Sequence, residues 1–464
     1  MLGLYYDGKW QESTEKDVIE VENPATLKIT GEVISASPED EDLAIASAKK
    51  AFQTWSTTPI EQRMGYVEQL LTRLRDDQEN LAKTVEYELG CGPAFALKTH
   101  VKPYLEDIEN YLRLTEEFPF VETYDGYEVL REPFGVVGCL TPWNYPLGQI
   151  EKKLIPAVLM GNTVVLKPSQ NTPLIAVELF KHMDAVGFPP GVVNLICGRG
   201  SDIGNLIATH EDVDMVTFTG STGGGQAIAR LAAGRVKPTL LELGGKSAAV
   251  ILEGADLNLA IKRTLGTVYY NTGQTCSAYS RLLAPLSMKE EVEETIKRLT
   301  ETFPFSKNSS DKKDIGPLAS KKQYEKVLGY IKKGQDEGAT LLLGDLPTTD
   351  GYYVGPVVFT DVTNDMSIAQ EEIFGPVLSV IYYHSEEEAL EIANDSQYGL
   401  SGAVYGEPEK AKAFAKKMKT GGVAINEGSS SHNAPFGGYK MSGYGREGGM
   451  YGLKEFTQTK TLHI

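Results

Sequence analysis

Five short stretches of this sequence hold residue types able to do chemistry. NTGQTCS, residues 271–277, sets Cys276 in a small, polar, glycine-containing segment rather than an apolar stripe. A deprotonated thiol is a strong nucleophile, and a polar setting near a helix end lowers a thiol pKa. The competing reading is a buried structural cysteine. LELGGKS, residues 241–247, puts Glu242 near the end of an apolar run closed by two glycines. A carboxylate there is either solvated at a strand end or buried with a raised pKa, and the second state suits a general base near neutrality. Gly244 and Gly245 permit a neighbouring group to approach the backbone closely. TPWNYP, residues 141–146, holds Asn144 rigidly between two prolines, as an amide donor to a developing oxyanion or simply as a turn residue. TFTGSTGGG, residues 217–225, reads as a glycine-rich strand-to-helix junction able to meet a pyrophosphate through backbone N–H groups, although it lacks the GxGxxG pattern. VVLKPSQNTP places Lys167 at the carboxyl end of a strand, where α/β sheets bind ligands; an exposed lysine is the alternative.

The elements that must position these residues follow from periodicity. Residues 42–55 and about 60–89 carry apolar residues at helical spacing, and Pro103 interrupts the pattern at 93–115 only near its start. YEVLREPFGVVGCLTPWN reads as strand, turn and strand, broken at Pro133 and Gly135. TVVLKP (163–168), VVNLICG and DMVTFTGS read as further strands. A helix lies between the first two, with Thr172 as N-cap, Pro173 at its first position and Gly187 ending it; another runs to about Ala233. This β-α-β-α order predicts a parallel doubly wound sheet. A second α/β unit follows 240–245, with helices at 256–271, 289–302, 320–337, 385–394 and 408–419 and strands around 280–285, 355–360, 377–383 and 422–425. The C-terminal EFTQTKTLHI alternates like a strand and needs a partner, for which another subunit is one candidate.

The chain has 464 residues, enough for two to four domains, with 41% hydrophobic and 23% charged residues. Its net charge of −18 disfavours nucleic acid and anionic membrane surfaces as partners. The N-terminus MLGLYYDGKWQ lacks the pattern of a secretory signal, and no apolar run is long enough to span a bilayer. The four cysteines, Cys91, Cys139, Cys197 and Cys276, are too sparse for a disulfide framework or a zinc site, so the expected location is the cytoplasm.

Taken together, TPWNYP, GNTVVLKPSQNTP, FTGST, LELGGKS, NTGQTCSA, EEIFGPV and PFGGYKMSGYGRE resemble the aldehyde dehydrogenase superfamily in content and order, including the 34-residue separation of Glu242 and Cys276. The resemblance spans essentially the whole chain and is nearest to the hydrolytic members that act on free aldehydes. It implies oxidation of an aldehyde to a carboxylic acid with NAD or NADP. Cys276 is then the nucleophile, Asn144 forms an oxyanion hole with the Cys276 backbone N–H, and Glu242 activates the water that cleaves the thioester. Lys153 and Glu447 match positions of a proton relay, with a salt bridge or structural hydrogen bond as the alternative. For the cofactor, the resemblance implies Lys167, Ser169 and Gln170 at the adenosine ribose, Gly220, Ser221 and Trp143 near the pyrophosphate, and Glu372 and Phe374 at the nicotinamide half. Leu140, Pro142 and Gly200 are backbone contacts. The implied fold has a Rossmann-like cofactor domain (1–117 and 134–244), a catalytic α/β domain (245–445) and a bridging β element (118–133 and 446–464) that pairs subunits into a homodimer or homotetramer.

One departure concerns the cofactor. NAD-preferring members carry glutamate three residues after the lysine of the KP motif, where this chain has Gln170. The amide keeps an acceptor for the ribose hydroxyls and removes the charge that repels a 2′-phosphate, so NAD and NADP both stay open. A CoA-acylating enzyme and an idle protein of the same fold are the alternatives, opposed by Glu242 and by the intact Cys276, Glu242 and Asn144 set. The aldehyde is not legible: Gln149, Lys152, His432 and Asn433 suggest a polar mouth, and no arginine pair marks a dicarboxylic semialdehyde.

Overall fold

The continuous apolar runs become the centre of an eight-stranded sheet in this computed structural model, which describes residues 2–15, 17–303, 316–344, 350–429 and 431–464. Val193–Ile196, Thr163–Lys167, Val136–Leu140, Met215–Thr219 and Thr239–Glu242 lie side by side and parallel. Helices cover both faces, so runs such as VVGCL and TVVLK are buried at every position rather than alternating. Antiparallel strands close both edges: Leu4–Tyr6 and Lys9–Trp10 on one side, Gly443–Tyr444 on the other. The segment 443–444 thus belongs to the first sheet, although it follows the second sheet in the chain.

The second sheet runs Thr340–Leu343, Val357–Thr360, Val377–Tyr383, Arg281–Pro285, Ala248–Ile251, Ser401–Tyr405 and Gly422–Ile425, all parallel except the first. Helices form where the spacing places them: Leu257–Tyr269, Lys289–Thr300, Lys321–Asp336, Glu386–Asn394 and Pro408–Ala415. The C-terminal strand Thr457–His463 pairs along its length with Tyr127–Pro133 of its own chain, and Val121–Tyr124 completes a three-stranded antiparallel sheet. Its partner is therefore found within the chain, and the sheet's two open edges are Val121–Tyr124 and Thr457–His463 itself.

Thr172 does not cap the helix that follows it. The helix is Leu174–Val186, Pro173 occupies the cap position, and Gly187 ends the helix in the left-handed region. The free N–H groups of Leu174 and Ile175 donate instead to the buried carboxylate of Glu88, 86 residues upstream for the first of them. Sequence spacing cannot anticipate a cap delivered from another helix.

Candidate active site

Four of the five chemistry-bearing stretches lie where strands of the first sheet end. Leu140 is followed by Thr141–Asn144, Lys167 by Pro168–Gln170, Thr219 by Gly220 and Ser221, and Glu242 by the glycine pair. Each strand is parallel to its neighbour, so these segments share the carboxyl edge of the sheet, where an α/β sheet binds ligands. The second sheet presents the opposite edge. Cys276, Glu372 with Phe374, and Gly244–Ser247 precede the strands Arg281–Pro285, Val377–Tyr383 and Ala248–Ile251 at their amino ends. The chain from Glu242 to Ala248 is the direct link between the two edges.

The cysteine loop is held by uncommon backbone geometry. Asn271, Thr272 and Gly273 have φ of 51°, 56° and 72°, three successive left-handed residues. Such conformations cost about 1–3 kcal/mol at non-glycine positions and persist only when surroundings over-determine them. Here Thr272 Oγ1 donates to Gly316 O at 2.7 Å, and Gln274 Oε1 accepts from Ala319 N at 2.8 Å. A Cβ at Gly273 would lie 2.1 Å from Gly375 O, so only glycine fits. Asn144 is tied to the same loop: its Nδ2 donates to Gln274 O at 3.0 Å, and its carbonyl accepts from Asn271 Nδ2 at 2.8 Å. The structure thus ties Asn144 to the loop that carries Cys276.

Gly245 packs against this loop on the other side, where an added Cβ would stand 2.6 Å from Cys276 O. A Cβ at Gly244 would stand 2.4 Å from the Glu372 carboxylate, whose Oε1 accepts from Gly245 N at 3.0 Å. The two glycines are what lets the cysteine loop and Glu372 close on one backbone segment.

Cys276 is half-buried, and its thiol does not behave as its polar sequence context suggested. Burial, then the charges of Glu242 and Glu372, push it up to about 12. The segment before it is a short 3-10 turn, Tyr270–Gly273, and no helix begins at the cysteine to favour a thiolate. Glu242 is 2% exposed, and neither carboxylate oxygen has a hydrogen-bond partner. Burial, together with the nearby Glu447 carboxylate, raises its pKa well above the ordinary carboxyl value. Of the two states open to Glu242, solvated or buried, the structure selects the buried one. Gly437 lies against Glu242 Oε1, with no room for a side chain at that point. Lys153 and Glu447 form a buried ion pair, and Lys153 Nζ also donates to Thr219 Oγ1 at 2.6 Å. Their charges act on Glu242 from opposite signs.

Lys167 is buried, not an exposed surface lysine. Its ammonium donates to Pro168 O at 2.7 Å and Gly198 O at 3.1 Å, and burial lowers its pKa to about 8. Ser169 Oγ accepts from Asn171 N in a local turn. Gln170 lines a cleft of about 430 Å3 with Arg199, Glu20 and Glu32. Gly200 opens the turn Gly200–Gly204, and Gly204 rests against the Lys167 stem and Leu140. Ser221 caps the helix Thr222–Ala233, accepting from Gly224 N at 3.2 Å. Gly223, in the first turn, has open space where a Cβ would be, so a phosphate has access to the helix start. Trp143 meets Phe374 edge-on with centroids 5.4 Å apart; Phe374 itself has φ of 61°. Pro142, partly buried, lies between Leu140 and Trp143. The cofactor-type groups thus lie at the carboxyl-edge loops of the first sheet and, for Glu372 and Phe374, at the amino edge of the second, with Trp143 touching Phe374 across them, and the residues fit an extended dinucleotide.

Sequence reasoning missed Asn271 and Gln274, the polar side chains that brace the cysteine loop, and Lys246. Lys246 is 2% exposed, its Nζ makes no hydrogen bond, and burial lowers its pKa to about 7. Its place directly after the glycine pair was the available signal.

Known proteins are similar to this chain in sequence and in fold. The profile of the Aldehyde dehydrogenase family matches residues 10–462. The chain is 43% identical to a 3-succinoylsemialdehyde-pyridine dehydrogenase of a Pseudomonas species, over 99% of this chain and 98% of the relative. Its structure is similar to that of aldehyde dehydrogenase C of Pseudomonas syringae, a cysteine-to-alanine mutant in complex with NAD+ and octanal, with a TM-score of 0.97, 37% identity and coverage of 100% and 96% of the two chains. It is likewise similar to a betaine aldehyde dehydrogenase of Staphylococcus aureus, in complex with NAD+ and with a cysteine modified by BME, with a TM-score of 0.95, 35% identity and coverage of 100% and 97%. Matched from residue 10 to residue 462, with its motifs gathered at one site between two sheets, the chain belongs to the aldehyde dehydrogenase family.

Proposed function

We propose that this aldehyde dehydrogenase oxidises an aldehyde to the carboxylic acid with a nicotinamide dinucleotide, through a thioester on Cys276 hydrolysed with Glu242 as base. The observation that carries the reading is the unpartnered, buried Glu242 carboxylate beside the loop that holds Cys276. Lys167, Ser169 and Gln170 hold the adenosine ribose, Gly220, Ser221 and Trp143 the pyrophosphate, and Glu372 with Phe374 the nicotinamide half, with Leu140, Pro142 and Gly200 lining the backbone path. The bound dinucleotide supplies the hydride acceptor; NAD is the cofactor in the related complexes, and Gln170 leaves room for NADP.

The thiolate form of Cys276 attacks the aldehyde carbon, its proton having passed to water. The resulting oxyanion accepts hydrogen bonds from Asn144 Nδ2 and the Cys276 backbone N–H, and donors of this kind are each worth about 10²–10³ in rate. Once hydride has left the carbon, Glu242 takes a proton from water as it adds to the thioester. The carboxyl's raised pKa fits this task, because it makes Glu242 a stronger base than a solvated carboxylate. The Lys153–Glu447 pair passes the proton onward. A base placed to activate water opposes transfer of the acyl group to CoA.

Two further readings concern the assembly. The three-stranded sheet of the bridging element (118–133 and 446–464), with open edges at Val121–Tyr124 and Thr457–His463, is the surface through which subunits join as a homodimer or homotetramer. No helix among the described residues is long and apolar enough to cross a membrane, and the cytoplasm is the proposed location. The decisive experiment is Cys276→Ala: aldehyde oxidation falls below a few per cent while NAD binding persists. Retention of turnover refutes the covalent mechanism.

A further inference from the structure

A cavity of about 710 Å3 opens beside Ser277, the residue next to Cys276. The charged or titratable side chains lining it include Asp107, Lys152, Arg263 and His432. Asp107 is already engaged, since its carboxylate contacts His432 Nδ1. Neither cation forms an ion pair among the described residues. Arg263 donates to the carbonyl oxygens of Glu427 and Gly428, at 3.0 and 2.7 Å. The Lys152 ammonium stands 5.7 Å from the Tyr104 ring centroid and 6.0 Å from that of Phe436. Among the described residues Lys152 forms no ion pair and no hydrogen bond.

Lys152 and Lys153 are neighbours on the helix Pro146–Leu159, so their side chains leave it in directions about 100° apart. Lys153 turns to Glu447, and Lys152 turns to the cavity. Aromatic faces replace part of the water that an ammonium loses, which keeps the charge tolerable without neutralising it. The charge reaches the chemistry, because it opposes the rise of both the Cys276 thiol and the Glu242 carboxyl. In a chain of net charge −18, the path to the nucleophile therefore carries two cations that have no ion-pair partner among the described residues, beside the Asp107–His432 contact.

We infer that the aldehyde this site takes carries a carboxylate, which pairs with Lys152 while Arg263 adds attraction along the cavity. This rests on the aldehyde-oxidising reading above. Anion recognition then arises without a pair of arginines. One side chain on the catalytic helix and one on the helix Leu257–Tyr269 supply the positive field.

The test compares two aldehydes matched in carbon number, pentanal and its carboxylate-bearing counterpart 5-oxopentanoate, by their kcat/KM values at saturating NAD. It uses wild type, Lys152→Met and Lys152→Arg. The ratio of the two substrates is independent of the fraction of active enzyme, so partial misfolding of a variant does not blur it. Wild type is expected to favour the carboxylate at least about tenfold. Lys152→Met is expected to lose most of that ratio, chiefly through a raised KM for the carboxylate-bearing aldehyde, and Lys152→Arg to keep it. High salt is expected to shrink the wild-type ratio. Equal kcat/KM values in wild type, or a preference that survives Lys152→Met, overturn the inference while turnover of pentanal upholds the proposed function. Failure of both aldehydes to reduce NAD overturns both.

Discussion

Replacing Gly245 by alanine tests whether the glycine pair positions the cysteine. Gly245 does not have a positive φ, so the substitution costs no backbone strain and acts only through the added methyl. That methyl would lie 2.6 Å from Cys276 O and 3.2 Å from Leu400 Cβ, whereas ordinary contact begins at 3.4 Å. The cysteine loop must therefore retreat by about 0.8 Å, because the other side is closed by Leu400. It cannot retreat freely, since Asn144 and the left-handed turn at Asn271–Gly273 tie it down. Misplacement of a reacting atom by about 1 Å costs about 10² in rate. The expected result is a kcat about 10²-fold below wild type, equivalent to about 2.7 kcal/mol. Overpacking should also destabilise the fold by about 1–3 kcal/mol. The assay is steady-state NADH production at saturating aldehyde and cofactor, with chemical denaturation in parallel. Gly329→Ala is the control: it sits on the helix Lys321–Asp336 with nothing within 4 Å, so kcat should hold and stability should rise by about 0.5–1 kcal/mol. A folded Gly245→Ala enzyme with kcat within about threefold of wild type would refute the positioning argument.

Glu242→Gln should separate the two half-reactions: acylation survives and deacylation slows, giving a rapid burst of NADH approaching one equivalent per site before slow turnover. Loss of the burst as well would show that Glu242 is needed to activate the thiol. Alkylation of Cys276 by iodoacetamide, without cofactor, should accelerate steadily from pH 7 to about 10 without a plateau, because burial and the Glu242 and Glu372 charges hold the thiol up at about 12. Removing one of those carboxylates lowers that pKa, so the Glu242→Gln profile should shift to lower pH; a plateau near pH 8 in wild type would contradict this. Gln170→Glu should shift the NADP-to-NAD ratio of kcat/KM toward NAD by about tenfold, since like charges at about 4 Å repel by about 4 kcal/mol before screening and a third of that suffices. An unchanged ratio would assign cofactor choice to other groups of that cleft, Arg199, Glu20 and Glu32.

The sequence alone determined what local physics determines. Uninterrupted apolar runs such as VVGCL and TVVLK announced strands buried on both faces, helical spacing announced the helices, and ordered motifs located Cys276, Glu242, Asn144 and the cofactor-type residues. Each of these signals lies within a few residues of the feature it specifies. What only the tertiary structure decided is the environment of those residues. Whether Glu242 is solvated depended on Gly437 and Glu447, about two hundred positions away. Lys153 found its partner 294 residues on, and the helix after Pro173 took its cap from Glu88 rather than Thr172. The thiol of Cys276 rose instead of falling because chain remote in sequence buries it and sets Glu372 nearby. Burial, ion pairing and cavity charge are sums over neighbours in space. A motif names the residues, but those neighbours are chosen by how two sheets meet, carboxyl edge to amino edge.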